Sequence, residues 1–240
     1  MVIAAILVGF FLGPIVKAGM ETVGPKLTGV SIKVDAVNLL LLSGSAKIKG
    51  LVVGIPEGYK APQAISVGSA AVGVNPFSVL SDKIVIHSVH VEAPEITFEG
   101  NPFSGNNLST IMKNVNSAAK SGGPAATNAA SKTGAKPARK LEVDDFLITG
   151  AKVNFNGTTL TLPNIHLTNL GTGSDGITAA DLTRRVLEAI TTTTIKTVAS
   201  SATDVGKSAE KVGKDLGKSL GSNASGFPKS LGGLFKKSTN

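Results

Sequence analysis

The amino-acid sequence predicts a mainly β domain with flanking helices, an α+β fold, and three patterns carry that prediction. Apolar and polar residues alternate with a period of two from Val30 onward and again after residue 141, as half-buried strands require. The first sixteen residues are nearly all apolar, which is typical of a helix that does not face water. From Leu182 to Leu220, apolar side chains recur at intervals of three and four, the spacing of an amphipathic helix.

The N-terminal stretch, VIAAILVGFFLGPIV, has no charged residue before Lys17. As a helix it would cover roughly 24 Å, slightly less than the ~30 Å hydrocarbon core of a bilayer. We predict a transmembrane anchor over residues 1–23; a cleaved signal peptide and a buried core helix are the alternatives. The predicted anchor residues are Ile3, Ile6, Leu7, Phe10, Phe11, Leu12 and Ile15.

The β domain is predicted in two parts, residues 24–116 and 141–176, which together form one antiparallel, curved sheet of eight or nine strands. Beyond the strands that begin at Val30 and Ala46, further strands are expected at 64–74, 83–91, 95–98, 141–149, 151–155 and 158–167. Asn156-Gly157 is a strong signal for a tight hairpin turn between the last two strands. Strands do not alternate with helices, so a doubly wound parallel sheet is not expected.

Two helices and two low-complexity segments complete the prediction. Asn107 is expected to cap a short helix that covers one end of the sheet, and Thr178 with Asp181 to start a longer amphipathic helix over residues 177–221. Residues 117–140 form a predicted flexible linker, and residues 222–240 a flexible tail. The positive charge is concentrated in the linker and in the C-terminal 45 residues.

The sequence carries no signature of catalysis or of a cofactor. It has no cysteine, and His87, His90 and His166 lack the spacing of a metal site. The GxGxxG at residues 171–176 is not followed by a second parallel strand, so it predicts a turn rather than a nucleotide site. With no tryptophan and one tyrosine, the chain also lacks stacking platforms for nucleic acid. We therefore expect a protein that is not an enzyme, binds no cofactor and binds no nucleic acid.

Four segments resemble the AsmA-like proteins of the bacterial envelope. They are VGPKLTGVSIKVDAVNLLLLSGSAKIKGLVVGIPEGY, LLSDKIVIHSVHVEAPEITFEG, NNLSTIMKNV and LITGAKVNFNGTTLTLPNIHLTNLG. The resemblance implies an inner-membrane protein with most of its chain in the periplasm, and it covers residues 10–116 and 141–195. The positive-inside rule disagrees, because Lys17 and Lys26 follow the apolar stretch and favour a cytoplasmic C-terminal side.

The resemblance also implies a groove-like sheet whose apolar face meets lipid, because larger relatives are bridge-like lipid-transfer proteins. The expected function is lipid binding or support of outer-membrane biogenesis, with membrane lipids as partners. The alternation of the strands gives these candidate lipid-facing residues: Val30, Ile32, Val34, Ile84, Ile86, Val153 and Phe155. The same face packed on its own helices as an ordinary core is the alternative.

A structural or scaffold subunit of a membrane complex is the alternative function. In that interpretation the C-terminal helix pairs with a partner protein through its apolar seam. A row of lysines opposes this seam and would face the membrane surface or the partner: Lys207, Lys211, Lys214 and Lys218.

Overall fold

The structure is a computed structural model that describes residues 2–40, 42–121 and 139–222, with side chains between residues 12 and 201 except that of Leu80. The chain divides into two units, Met1–Val198 and Ala199–Asn240. The first unit contains the sheet, two helices and the beginning of a third. Of the second unit, the structure describes the helical backbone up to Ser222.

The three helices are α1 (Val2–Thr28), α2 (Asn107–Lys120) and α3 (Ala179–Ser222). The described strands are β1 (Ile32–Lys33), β2 (Ala36–Leu40), β3 (Ser45–Val53), β4 (Ile65–Val74), β5 (Lys83–Glu92), β6 (Glu95–Phe98), β7 (Gly100–Asn101), β8 (Gly105–Asn106), β9 (Lys140–Thr149), β10 (Lys152–Phe155), β11 (Thr158–Thr161) and β12 (Ile165–Leu170). The predicted mainly β fold with flanking helices is confirmed.

Ten of these strands form one curled sheet, and β7 pairs with β8 as a separate small hairpin. Because several strands continue one another after a short break, the sheet consists of six ribbons. In spatial order they are β1 with β2, β3, β4, β5 with β6, β9 with β10, and β12 with β11. Hydrogen-bonded ladders join each ribbon to the next.

The sheet is mixed, and the prediction of an antiparallel sheet is wrong for two of its ladders. β5 pairs with β9 in parallel, and β6 pairs with β10 in parallel. Lys83 lies opposite Lys140 and Ile96 opposite Val153, a spacing of 57 residues in both ladders. The two ribbons therefore pair in a single register on both sides of the bend. A parallel pair needs a long crossover connection, and here α2 lies within that connection.

One line of backbone irregularities crosses the whole sheet, and we call it the crease. When the ladders are extended, it passes through one residue of each ribbon: Asp35, Gly50, Gly68, Ala93, Gly150 and Pro163. Three of these have positive φ, 61° at Gly50, 46° at Ala93 and 63° at Gly150. Each ladder keeps the same register on both sides of this line, so the bends of neighbouring ribbons lie side by side, and aligned bends curl the entire sheet.

The crease moves the inward-facing positions of each ribbon by one residue. On β3, Ile48 packs in the core before the crease, and Leu51 packs there after it. On β4, the corresponding residues are Ala70 and Val67. Inward residues of a regular strand are two apart, whereas these are three apart. The apolar side chains thereby stay on one concave face along the full length of every ribbon.

Local signals in the sequence set several element ends. Thr178 Oγ1 accepts the Asp181 amide at 3.0 Å, as predicted for the start of α3. Asn156 and Gly157 both have positive φ and form the predicted hairpin turn between β10 and β11. The cap of α2 is Asn106, which accepts the amide of Ser109, so the prediction that Asn107 is the cap is wrong by one residue. α2 extends to Lys120 and β9 begins at Lys140, which shortens the predicted linker; residues 122–138 and the tail from 223 onward lie outside the described residues.

Helix α1 covers the predicted anchor, and its second half packs on the sheet. It runs antiparallel to the first ribbon, because Gly13 lies against the backbone of Val37 and Gly24 against the side chain of Ile32. Leu27 is 5% exposed. Within the described part of the chain, no helix is both long and apolar enough to cross a membrane. The structure therefore gives no support to a transmembrane helix, and the second half of α1 matches the alternative of a packed helix.

We predict that Gly50→Ala destabilises the domain by more than about 2 kcal/mol. An L-residue in the left-handed region costs about 1–2 kcal/mol by itself. The new Cβ would also lie 1.9 Å from Oδ2 and 2.8 Å from Cβ of Asp35, so the side chain of Asp35 would have to move. Chemical denaturation measures the loss.

Gly68→Ala is the matched control for this experiment. Gly68 lies on the same crease in the next ribbon, but its φ is outside the left-handed region and an added Cβ meets no heavy atom within 4 Å. We expect its free energy of unfolding to be unchanged or slightly higher. Similar losses in the two variants would contradict the assignment of strain to Gly50.

Candidate apolar ligand-binding cavity

A cavity of about 590 Å³ lies over the crease, on the concave face of the sheet. Its floor is formed by aliphatic side chains on both sides of the crease, among them Leu51, Val53, Ile65, Val67, Ile96 and Ile148. One face of α1 and the first three turns of α3 form the walls, and Ile111 of α2 closes one side. The cavity lies entirely within the first unit of the chain.

The lining offers no charged or unpaired polar side chain to a ligand. Thr28 and Thr183 are its polar residues, and both hydroxyls already donate at 2.8 Å to carbonyl oxygens of their own helices. The other lining residues are apolar side chains and glycines. A polar or charged ligand would lose its hydration without gaining hydrogen bonds from these side chains. The lining therefore favours apolar ligands.

The cavity opens to solvent beside α1. Ile15 and Val16 line it and are nevertheless 42% and 39% exposed. Further along α1, the side of the helix that carries Gly19, Met20 and Val23 faces the cavity. An aliphatic ligand can therefore reach the interior without passing through the sheet.

Two polar contacts hold α1 to the crease. The carboxylate of Glu21 accepts the amide of Val34 at 2.9 Å, and Nζ of Lys17 donates to the carbonyl of Asp35 at 3.2 Å. Both strand residues lie where the first ribbon breaks: the amide of Asp35 still donates to the carbonyl of Lys49 on β3 at 3.0 Å, whereas the amide of Val34 and the carbonyl of Asp35 bond to α1. The wall that α1 provides is thus positioned by the same irregularity that curls the sheet.

A buried amide fixes α2 against the sheet. Asn107 is fully buried; its Oδ1 accepts the amide of Glu99 at 3.0 Å, and its Nδ2 donates to the carbonyl of Thr97 at 2.7 Å. These bonds extend the ribbon formed by β5 and β6 onto the helix. They orient the apolar face of α2, which is fully buried at Leu108, Ile111 and Val115.

The structure places the predicted lipid-facing residues in three environments. Ile32 lines the cavity. Four others pack in the protein interior outside the cavity lining: Val30, Val34, Val153 and Phe155, the last in an edge-to-face contact with Phe98. Ile84 and Ile86 are half-buried on β5, also outside the lining. The predicted set therefore marks the apolar side of several strands but misses most of the cavity.

Most of the other predicted site residues lie where the structure does not describe side chains. Of the anchor set, Leu12 is half-buried and Ile15 stands at the opening of the cavity. The side chains of Ile3, Ile6, Leu7, Phe10 and Phe11 lie outside the described residues, as do the side chains of Lys207, Lys211, Lys214 and Lys218. The predicted seam residues Leu182, Val186 and Ile190 line the cavity.

The described histidines and Lys83 each lie against one acidic residue on the strands, and Arg184 lies between Asp181 and Glu188 on α3. Lys83 contacts Glu142, His87 Nδ1 lies 3.0 Å from Asp144 Oδ2, and His166 contacts Asp145. None of these residues lines the cavity. Within the described ranges, no three His, Asp or Glu side chains are grouped as a metal site would require.

Comparison of the chain with protein-family models, with curated proteins and with solved structures found no match. The resemblance to AsmA-like proteins therefore remains a prediction.

We predict that Glu21→Ala loosens α1 from the crease and lowers the free energy of unfolding by about 1–2 kcal/mol, because the amide of Val34 loses its acceptor. Hydrogen exchange at the Val34 amide, together with denaturation, measures this loss. Glu21→Gln keeps an acceptor oxygen and should retain most of the protection. If Gln and Ala behave alike, the ion pair of Glu21 with Lys17, at 3.9 Å, matters more than the hydrogen bond.

Proposed function

We propose that this chain binds the hydrocarbon portion of a lipid in the cavity between the concave sheet, α1 and α3. The observation that carries the proposal is a large, open cavity whose lining has no charged side chain and no free side-chain hydrogen-bonding group. Such a lining recognises its ligand by apolar contact and excludes substrates that need hydrogen bonds.

The volume supports an acyl chain rather than a small solute. An engineered apolar cavity of about 150 Å³ takes up one benzene molecule, so 590 Å³ has room for roughly two dozen carbon atoms. This corresponds to one or two acyl chains. A polar headgroup would remain at the opening beside Ile15 and Val16, where solvent is available.

An ordinary hydrophobic core does not leave so much space. Protein interiors are close-packed, and residual cavities destabilise proteins by about 24 cal/mol per Å³ in a measured leucine-to-alanine series. The cavity of 590 Å³ is open to solvent, so without a ligand its aliphatic side chains face water or unfilled space. Water gains no hydrogen bonds from aliphatic walls, whereas acyl chains restore the lost contacts.

The cellular setting of this proposal rests on the resemblance to AsmA-like proteins. We propose a membrane-associated protein of the bacterial envelope, with most of its chain in the periplasm, that acts in lipid handling without catalysis or a cofactor. The scaffold alternative through the C-terminal lysines remains a prediction, because those side chains lie outside the described residues.

Gly19→Phe tests the proposal by filling the cavity from α1. Gly19 lines the cavity, and a Cβ added there meets no heavy atom within 4 Å, so the larger side chain has room to enter. Replacing a helical glycine also favours the helix by up to about 1 kcal/mol. We expect an unchanged or higher melting temperature and at least about tenfold weaker binding of a fluorescent fatty acid, since the ring takes the space of the ligand.

Thr22→Phe is the matched control. It adds the same ring to the same helix at an exposed position outside the cavity lining. Its fatty-acid binding should equal that of the wild type. Native mass spectrometry of the purified chains should show copurified lipid on the wild type and on Thr22→Phe but not on Gly19→Phe. Equal lipid occupancy of all three chains would refute a ligand in this cavity.

A further inference from the structure

Large exposed apolar side chains are grouped at one end of the sheet. Leu40 is 67% exposed, Leu42 is 65% exposed and Phe77 is 90% exposed. Leu40 and Leu42 lie at the hairpin between β2 and β3, and Phe77 lies in the 3₁₀ turn Pro76–Leu80 that follows β4. Single exposed apolar residues are ordinary on protein surfaces, but a group of them indicates an interaction site.

Backbone contacts join the hairpin and the turn into one surface. The amide of Val74 donates to the carbonyl of Gly44 at 2.6 Å. A Cβ built on Gly44 would lie 3.1 Å from Cδ of Pro76, so the two loops are in direct contact. We call the three side chains Leu40, Leu42 and Phe77 the apolar tip.

The turn is built to hold Phe77 outward. Oδ1 of Asn75 accepts the amide of Phe77 at 3.0 Å, and the hydroxyl of Ser78 donates to the carbonyl of Asn75 at 2.7 Å. The same hydroxyl accepts the amide of Val85 at 2.9 Å, which fixes the turn to β5. A turn fixed at both ends cannot fold its phenylalanine back onto the sheet. The exposure of Phe77 is therefore a property of the folded chain.

Two basic residues, Arg139 and Lys140, lie at the same end of the sheet as the apolar tip, beside the exposed acidic residue Asp82. The guanidinium of Arg139 donates to the carbonyl of Val79 in the turn at 2.6 Å, and the amide of Lys140 donates to the carbonyl of Asp82 at 3.0 Å. α1 runs antiparallel to the first ribbon, so its N-terminal end points toward the end of β2 that carries Leu40. Basic side chains next to protruding apolar ones are typical of surfaces that enter the interface of an anionic membrane.

We propose that the apolar tip, with Arg139 and Lys140 beside it, docks this protein on an anionic membrane surface. The shape of the surface favours a bilayer over a protein. A specific protein interface buries about 800 Å² per partner with close complementarity, whereas the apolar tip consists of three side chains protruding from two loops. A bilayer takes up such side chains one by one and requires no matching surface. The inference does not depend on a ligand in the cavity.

The absence of tryptophan from the chain allows a direct test in the full-length protein. Phe77→Trp places a single fluorophore on the apolar tip. With vesicles of phosphatidylglycerol and phosphatidylethanolamine, we expect a blue shift of its emission and quenching by brominated acyl chains. Phosphatidylcholine vesicles should give a weaker response, because they carry no net charge to attract the basic residues.

Phe103→Trp is the matched control. Phe103 is 77% exposed and lies between β7 and β8. Those strands follow β6, which pairs with the first residues of β4, while Phe77 follows the last. The two phenylalanines therefore stand at opposite ends of the sheet, and the Phe103→Trp emission should not change. Quenching of both tryptophans, or of neither, overturns the proposal.

A second pair of variants measures the contribution of the side chain to binding. Phe77→Asp should reduce flotation with anionic vesicles by about tenfold. It removes an aromatic ring that would enter the bilayer, and it adds a negative charge that the anionic lipids repel. Phe103→Asp should float like the wild type. Both residues are exposed, so circular dichroism should show an unchanged fold for both variants. Equal flotation of Phe77→Asp and wild type would also overturn the proposal, and a fatty-acid binding assay on the same samples reports separately on the cavity.

Discussion

The rest of the structure depends on the crease, the aligned row of irregular residues that bends all six ribbons at one level. A sheet without it would be an open, twisted surface that two or three helices could cover by ordinary packing. The bend instead turns the apolar face into a concave trough. Straight helices cannot fill a trough whose floor curves away from them, and the space that remains is the cavity. The crease thus determines both the shape of the sheet and the place where a ligand fits.

The crease also explains how the covering helices are held. Where a ribbon breaks, its backbone amides and carbonyls lose their ladder partners and need others. On the first ribbon, Val34 and Asp35 find them in Glu21 and Lys17 of α1. Leu27 is buried and Gly24 packs against Ile32, so the C-terminal end of this helix lies on the sheet through apolar contacts. The helix is consequently attached at discrete points along the floor, which leaves the opening at Ile15 and Val16 free.

The sequence predicts most strands well because alternation and turn residues act locally. The strand predicted at residues 95–98 is found as β6 (Glu95–Phe98), and the Asn156-Gly157 turn lies where its chemistry requires. Strand direction could not be predicted, because residues alternate with a period of two in both parallel and antiparallel ladders. The direction depends on which strands become neighbours, here β5 and β9.

The sequence also did not predict most of the cavity lining, for a related reason. The predicted lipid-facing set has no residue on β3 or β4, which supply Leu51, Val53, Ile65 and Val67 to the lining, and the sequence does not state that the inward parity changes at Gly50. Aligned glycines such as Gly50 and Gly68 were the available signal, but their alignment exists only once the strand register is known.

Helix α1 shows why apolar composition alone does not identify an environment. The interior of a bilayer, a protein core and a cavity for acyl chains all select the same aliphatic side chains, since each removes them from water. The run that ends at Val16 therefore predicts burial without predicting what surrounds it.

The charged residues that follow the run distinguish between these environments. Lys17 and Glu21 stand four residues apart, on one side of the helix. Both reach the backbone of the first ribbon, a pairing that a membrane-embedded helix would have no reason to position. These polar contacts constrain α1 on the sheet from Lys17 onward, and the apolar side chains that follow, Met20, Val23 and Leu27, line the cavity that the sheet encloses.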